Sequence, residues 1–178
     1  MAVLPILTAP DPRLKVKSAP VEKVGGAVRQ LMDDLLETMY AAGNGIGLAA
    51  PQVGVAKRVL VMDLAPEGQP PEPLYMANPE IIKASEETRV HEEGCLSVPD
   101  QYSDVERPAF VTLRYLDYEN EIRELEADEI LAVCAQHEID HLDGILFIDH
   151  VSTLKRNMIL RKLNKQRKLA TPDRAPAL

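Results

Sequence analysis

The residues that could most readily carry out chemistry together form the run His137-Glu138-Ile139-Asp140-His141. Residues four positions apart on an α-helix lie one above the other, so both imidazoles can reach a single metal ion. Glu138 follows the first histidine by about 100° of rotation, which places its carboxylate beside a metal-bound water rather than on the metal. The spacing therefore predicts a helix-borne metal site with an adjacent acid–base group.

A catalytic site of this kind needs a third protein ligand, because water takes the fourth position of the metal. The candidates by residue type are Cys95, Asp143, Asp149 and His150. Cys95 lies in the run Glu93-Gly94-Cys95-Leu96-Ser97, which we interpret as a glycine-bearing loop ahead of Pro99. A thiolate is the softest ligand available, and a loop thiol is unusual in a core, so the pattern favours Cys95. We interpret His91 and His150 as surface or partly packed histidines.

The second cysteine, Cys134, lies three residues before His137. One turn from the ligands, side chains on this helix point at the floor of the site, so we expect Ile130, Val133 and Cys134 to form the wall of an apolar pocket. A fourth ligand is the alternative, but cysteine is commonly a small buried hydrophobic residue. Because the chain has only two cysteines, a disulfide scaffold is excluded.

A third run, Gly45-Ile46-Gly47-Leu48-Ala49-Ala50-Pro51-Gln52, is rich in small residues. It could be no more than a helix stop followed by a tight connection. It lacks the third glycine and the following helix of a nucleotide-binding fingerprint. Small residues let a backbone approach a ligand closely, and the Gln52 amide could donate a hydrogen bond to an oxyanion.

These residues must be positioned by helices and short strands. Three- and four-residue steps predict a helix that ends at Gly43, with Val28, Leu31, Met32, Leu35, Leu36 and Met39 on its buried stripe. A second helix is predicted over 128–142, with Asp128 as N-cap and Gly144 as the stop, and a third over 152–170. Strands are predicted at 58–64, 74–78 and 81–83, and a hairpin across 110–116 and 121–125.

This order of elements predicts an α+β fold. We expect a single domain of mixed, mostly antiparallel short sheets around the central metal-binding helix, with a long N-terminal helix and a C-terminal helix. The domain is expected to span residues 1–170, followed by a flexible tail at 171–178.

Composition and charge narrow the class of protein. The chain of 178 residues is 46% hydrophobic and 27% charged, which is typical of a globular protein, and it has no apolar run of the roughly 20 residues that a membrane span needs. The first 20 residues show no signal-peptide pattern, which favours a cytoplasmic protein. The net charge is −8, yet residues 152–170 carry seven basic and no acidic residues, which leaves −15 on the remainder.

Taken together and in this order, three of these runs resemble the signature motifs of bacterial peptide deformylases. They are Gly45 to Gln52, Glu93 to Ser97, and Gln136-His137-Glu138-Ile139-Asp140-His141. The similarity extends over essentially the whole chain, and there is no departure within the motifs. Each motif alone would be suggestive, whereas three in the right order are highly specific.

The resemblance implies one divalent metal ion bound by Cys95, His137 and His141. In the family this ion is natively ferrous iron (Fe2+), with zinc, nickel or cobalt as substitutes. The resemblance also implies that Glu138 is the general acid/base, and that Gln52 and the backbone N–H of Leu96 form the oxyanion site.

Substrate contacts are implied in the same way. The backbone of Gly47 would hydrogen-bond an extended peptide, and the further substrate-binding residues and the methionine pocket are assigned to Ile46, Glu93, Gly94, Ile130, Val133, Cys134 and His137. The implied reaction removes the formyl group from N-formylmethionyl nascent peptides and releases formate, as a metal-bound water attacks the formyl carbon. The implied enzyme is a cytoplasmic monomer without membrane contact, and its basic C-terminal helix is expected to dock on ribosomal RNA.

Two other functions remain open from the residues. One is a zinc peptidase built on the same histidine helix, although a cysteine as third ligand argues against it. The other is a ribosome- or RNA-binding module with a structural metal, which the basic helix favours. A structural zinc site, however, normally has four protein ligands and needs no acid/base glutamate. The alternative interpretation of the basic helix is a solvated face that offsets an acidic body.

Overall fold

Three α-helices, three short 3-10 helices and seven strands form the regular structure of residues 2–66 and 68–170, the part of the chain that the computed structural model describes. The α-helices are α1 (Gly26–Ala42), α2 (Glu129–Leu142) and α3 (Thr153–Ala170). The strands are β1 (Gly47–Ala49), β2 (Val59–Met62), β3 (Leu74–Ala84), β4 (Thr88–Cys95), β5 (Val98–Pro108), β6 (Val111–Leu116) and β7 (Ile122–Ala127).

The strands form two antiparallel sheets. The larger one has five strands in the order β1-β2-β3-β6-β7, and the smaller one is the hairpin of β4 and β5. The α+β fold predicted from the sequence is therefore confirmed, as are the single domain and the central position of the helix that carries His137 and His141. The division of the chain at residue 170 stays a prediction, and residues 171–178 lie outside the described residues.

Strand β2 of the large sheet is buried on both of its faces. Val59 and Val61 pack with α1, whereas Leu60 and Met62 pack with α2. Successive side chains of a strand point to opposite faces, so a strand covered on both sides is apolar at every position. The sheet thus separates α1 from α2, and α2 lies against it with its other side turned to the β4–β5 hairpin.

One prediction about strands is wrong, and one pair of strands was not predicted. The expected strands at 74–78 and 81–83 are one strand, β3, with an irregular register against β6 between Ala77 and Glu80. Asn78 has a φ of 49° there and Pro79 has no N–H, so the local sequence resembles a break. The β4–β5 hairpin was not predicted, because its inward positions include polar residues such as Glu93, Ser103 and Arg107 and show no apolar alternation.

The ends of α1 and α2 agree with the sequence in most respects. Gly43 ends α1 with a φ of 80°, and Gly144 follows α2 with a φ of 74°. A Cβ on Gly144 would lie 2.5 Å from the carbonyl oxygen of Lys15, so this position requires glycine for space as well as for conformation. Asp128 occupies the N-cap position of α2, but its side chain makes no capping hydrogen bond.

Helix α3 contacts the domain through one face only. Ile159 and Leu163 are buried in a cluster with Phe147 and Ile148. Leu154 and Met158, which are also apolar, are 73% and 51% exposed. Among residues 2–66 and 68–170, no helix has the length and hydrophobicity of a membrane span.

We predict that Leu163→Ala lowers the free energy of unfolding by about 2–5 kcal/mol, because it leaves a cavity between α3 and the domain. Leu154→Ala, on the same helix but exposed, should change the free energy by less than about 0.5 kcal/mol. Urea unfolding of both variants measures the difference. Equal effects of the two substitutions would show that α3 is not held by this face.

Candidate metal centre and active site

Two separate elements bring three metal-ligating side chains together. His137 and His141 lie one turn apart on α2, and Cys95 is the last residue of β4. The Sγ atom of Cys95 lies 3.3 Å from Nε2 of His141, and one ligand atom from each of the three side chains falls within 4.8 Å of the others. Cys95 is therefore not in a loop, as the sequence indicated, but at a strand end, where it pairs with Val98 across a two-residue turn.

The donor set fits a divalent metal ion. A thiolate and two imidazoles are the ligands chosen by zinc and iron, and a tetrahedral ion bound at about 2.0–2.3 Å holds its ligand atoms between 3 and 4 Å apart. The other candidates for a third ligand are engaged elsewhere. Asp143 pairs with Arg58, Asp149 with Lys15 and Arg156, and His150 with Asp140. The half-buried His91 is also not part of the cluster.

Glu93 orients the first histidine. Its Oε2 atom lies 2.8 Å from Nδ1 of His137, and Arg107 donates to both of its oxygens at 2.5 and 3.0 Å. Burial favours the protonated acid, but the hydrogen bonds from His137 and Arg107 outweigh it and lower the pKa of Glu93 to about 2. Because an ionised carboxylate only accepts, Nδ1 of His137 donates this hydrogen bond, and Nε2 is the ring nitrogen left to face the centre.

Glu138 has the opposite environment. Its side chain is buried, and Oε2 has no hydrogen-bond partner. Burial, reinforced by the nearby charge of Glu93, raises the pKa of Glu138 to about 7. A carboxyl group with a pKa near neutrality can both take up and release a proton at physiological pH.

Gln52 presents its amide NH₂ to the centre. It lies in the 3-10 helix Ala50–Val53, and its Oε1 accepts the backbone N–H of Ala49 at 2.8 Å. That hydrogen bond fixes the orientation of the amide, so that Nε2 points toward the centre. Nε2 lies 3.2 Å from Oγ of Ser97 and 3.7 Å from Sγ of Cys95.

Gly47 lies where the edge strand β1 passes the helix. The N–H of Asp63 donates to the carbonyl of Ile46, and Gly47 is paired with Met62. Residues of an antiparallel strand alternate between pairs that exchange hydrogen bonds and pairs that do not. Because Ile46 is hydrogen-bonded to Asp63, the N–H and C=O of Gly47 point away from β2, toward the open edge of the sheet. A Cβ here would lie 2.6 Å from Oε1 of Glu138 and 2.9 Å from Sγ of Cys134.

A cleft of about 500 Å³ connects these groups. All the predicted site residues except His141 line it: Ile46, Gly47, Gln52, Glu93, Gly94, Cys95, Leu96, Ile130, Val133, Cys134, His137 and Glu138. Val133 and Cys134 are buried, whereas Ile46 and Ile130 lie at the mouth with 42% and 51% exposure. Burial raises the pKa of Cys134 well above its usual value, which keeps this thiol neutral and supports its interpretation as a wall residue.

Two residues of the β4–β5 hairpin that lie at the site were not predicted from the sequence. Tyr102 lines the cleft and lies against Gly94, where a Cβ would approach its ring to 2.5 Å. Arg107 holds Glu93. Neither residue lies in a recognisable motif, and no signal short of the β4–β5 pairing would have placed them at the site.

The comparisons with known proteins agree on one family. The family model described as polypeptide deformylase matches residues 3–157. The chain belongs to the peptide deformylase family. It is 59% identical over 170 residues to a peptide deformylase of Phenylobacterium zucineum, covering 96% of this chain and 100% of the relative.

Solved peptide deformylases share the fold. The Ehrlichia chaffeensis enzyme in complex with actinonin is 44% identical with a TM-score of 0.90, over 94% of this chain and 99% of that one. The Acinetobacter baumannii enzyme with bound Met-Ala-Ser is 39% identical with a TM-score of 0.78, over 84% and 99%.

As a peptide deformylase, the chain is a metal-dependent hydrolase that removes the N-formyl group from newly made polypeptides. This assignment decides against the zinc peptidase, and against an RNA-binding module whose metal is only structural. The candidate metal site is the cluster of Cys95, His137 and His141.

We predict that Gly47→Ala lowers kcat on the order of 100-fold, because the new methyl group must displace the Glu138 carboxylate. Gly26→Ala is the matched control, since its Cβ meets nothing within 4 Å at the start of α1. Steady-state kinetics on a formyl-Met peptide, with circular dichroism to confirm folding, provide the measurement. Parental activity of the Gly47 variant would contradict the close packing of Gly47 against Glu138.

Proposed function

We propose that Cys95, His137 and His141 hold one ferrous ion at which this deformylase hydrolyses formyl-methionyl peptides. The observation that carries this proposal is the convergence of the three ligand atoms within 4.8 Å of one another, in a cleft that also contains Glu138. Zinc, nickel and cobalt are expected to bind the same ligands. Metal analysis of protein purified without oxygen tests the choice of iron, and zinc as the only metal would contradict it.

When bound, the metal supplies Lewis-acid chemistry, which makes a water reactive at neutral pH and polarises the formyl oxygen. Glu138 takes a proton from the attacking water. Its unpartnered Oε2 is available for this step, and its pKa of about 7 lets it hold the proton until the amine departs. Glu138 then protonates the leaving nitrogen, which an amide requires for C–N cleavage.

Gln52 and the N–H of Leu96 stabilise the oxyanion of the tetrahedral intermediate. The Gln52 amide is held in the required orientation by the N–H of Ala49 before substrate binds, so no reorganisation is needed during the reaction. Leu96 directly follows Cys95 in the hairpin turn and lines the cleft. Losing one such donor typically costs about 2.7–4 kcal/mol of transition-state stabilisation.

The substrate lies as an extended strand along the open edge of β1. The outward peptide groups of Gly47 are available to pair with it, and Glu93 and Gly94 line the opposite side of the cleft. The methionine side chain occupies the pocket formed by Ile46, Ile130, Val133, Cys134 and His137. The Acinetobacter baumannii relative, solved with Met-Ala-Ser bound, supports a peptide that begins with methionine.

We predict that Glu138→Gln retains the metal but loses nearly all turnover, because an amide cannot carry the transferred proton. Metal content and kcat on a formyl-Met peptide are the two measurements. Activity within a few-fold of the parent would contradict the acid–base role.

We predict that Cys95→Ser sharply weakens metal binding, whereas Cys134→Ser mainly perturbs the pocket. Cys95 faces both histidines, while the buried Cys134 thiol points to the carbonyl of Ile46 at 3.7 Å. Metal retained after dialysis against a chelator distinguishes the two variants. The reverse result would mean that the wrong cysteine has been assigned as the ligand.

The enzyme acts as a cytoplasmic monomer that meets formylated nascent chains at the ribosome. Helix α3 supports this part of the proposal. Arg161, Lys165 and Lys168 are exposed on it, and no acidic residue interrupts the helix. A basic surface of this kind is suited to the phosphates of ribosomal RNA.

We predict that Arg161→Gln/Lys165→Gln/Lys168→Gln abolishes co-sedimentation with ribosomes at low salt. The parent should bind at about 50 mM salt and largely dissociate by about 200 mM, because phosphate contacts release counterions. Deformylation of a free formyl-Met peptide should be unchanged, since these side chains lie outside the cleft.

The control removes the same charge elsewhere. Lys17, Lys23 and Lys57 are also exposed, and their triple glutamine variant should still bind ribosomes. Equal loss in both triple variants would indicate a general charge effect rather than docking through α3. Absence of binding by the parent at low salt would also contradict the proposal.

A further inference from the structure

The ligands of the centre belong to two elements that the backbone does not join. Cys95 lies on the β4–β5 hairpin, which forms its own two-stranded sheet, and the two histidines lie on α2. Within residues 2–66 and 68–170, no backbone–backbone hydrogen bond connects the hairpin to α2. Side chains must therefore fix the distance between the thiolate and the imidazoles.

Arg107 spans this gap. It lies on β5 with only 6% of its side chain exposed. Nε and Nη2 donate to the two oxygens of Glu93 on β4, at 2.5 and 3.0 Å, and Nη1 donates to Oδ2 of Asp140 on α2 at 2.9 Å. In the described part of the chain, it is the only lysine or arginine that forms an ion pair with both the hairpin and α2.

Each carboxylate bound by Arg107 is adjacent to a histidine ligand. Glu93 holds Nδ1 of His137 at 2.8 Å, and Asp140 directly precedes His141 in the chain. One further hydrogen bond joins α2 to the hairpin: Nε2 of Gln136 donates to the carbonyl oxygen of Pro108 at 3.1 Å. Gln136 contacts the base of the hairpin, however, and not the end that carries Cys95.

We propose that Arg107 is a positioning residue that sets the distance between the hairpin and α2, and thereby the affinity and geometry of the metal centre. A guanidinium suits this role because its planar fork engages two carboxylates in fixed directions. An ammonium group in its place would keep the charge but could not reproduce that planar fork. The proposal rests on the ligand set of the proposed function, since it concerns how those ligands are held.

The test is Arg107→Lys, measured by competition for the metal with a chelator and by the absorption spectrum of the cobalt-loaded protein. We expect the dissociation constant for cobalt to rise about 10- to 100-fold, as for other residues that orient metal ligands. The cobalt bands, which report coordination geometry, should shift. In the metal-saturated enzyme kcat should fall while KM stays within a few-fold, because Arg107 does not line the cleft.

Arg114→Lys is the matched control. Arg114 also lies on a strand and pairs with a carboxylate, that of Glu124 at 2.8 Å, but this pair is exposed and joins β6 to β7. Its replacement should leave the cobalt spectrum and the dissociation constant unchanged.

A second variant covers the case in which Arg107→Lys does not fold. Asp140→Asn leaves the pair of Arg107 and Glu93 intact and weakens the link to α2, together with the contact of Asp140 with His150, at a side chain that is 19% exposed. It should shift the dissociation constant in the same direction by a smaller factor. His150→Gln removes the other partner of Asp140 and should have no effect on metal binding.

Three outcomes would overturn the proposal. They are parental cobalt affinity and spectrum in folded Arg107→Lys, parental affinity in Asp140→Asn where the lysine variant does not fold, and an effect of His150→Gln as large as that of Asp140→Asn. A lower melting temperature with unchanged metal binding would give Arg107 a purely structural role. Failure of the ligand set itself is separate, because it would appear as metal retention in Cys95→Ser.

Discussion

The arrangement of this site depends on holding a half-buried thiol and two imidazoles within a few ångströms of one another although they come from separate elements. Cys95 and His141 approach to 3.3 Å, and nothing in the sequence near either residue brings them together. The large sheet supports α2 from one side through Leu60 and Met62, and the hairpin approaches α2 from the other. Helix α2 thus lies between the large sheet and the hairpin, and the remaining contacts of the site orient the histidines that α2 carries.

Two buried glutamates near the centre show how environment separates chemical roles. Glu93 accepts hydrogen bonds from Arg107 and His137, so its charge is compensated and its pKa lies at about 2. Glu138 is equally buried but has an oxygen without a partner, so its pKa lies at about 7. The first carboxylate remains ionised and orients His137, whereas the second is suited to exchange a proton. Burial disfavours charge in both, but His137 and Arg107 offset it at Glu93, whereas the charge of Glu93 adds to it at Glu138.

The two faces of the C-terminal helix α3 differ in their surroundings. Its inward face is narrow, with Ile159 and Leu163 in the core, and its outward face combines basic side chains with exposed apolar ones such as Leu154 and Met158. The helix can therefore be held by few contacts while its other face stays available to a partner. Residues 152–170 carry seven basic and no acidic residues, whereas the rest of the chain has a net charge of −15.

The sequence by itself determined the parts of this protein whose chemistry depends on local spacing. His137, Glu138 and His141 are related by helical geometry, and Gly43 and Gly144 end helices by local conformation. Only the tertiary structure decided the rest. The β4–β5 hairpin has no apolar alternation because its inward side chains include ion-paired polar residues, so neither its pairing nor the position of Cys95 at a strand end could be read locally. Arg107 and Tyr102 acquire their neighbours through that same pairing. Two strands with polar inward side chains can pair only where other residues neutralise those side chains. Because such residues are distant in the chain, a short stretch of sequence does not reveal them.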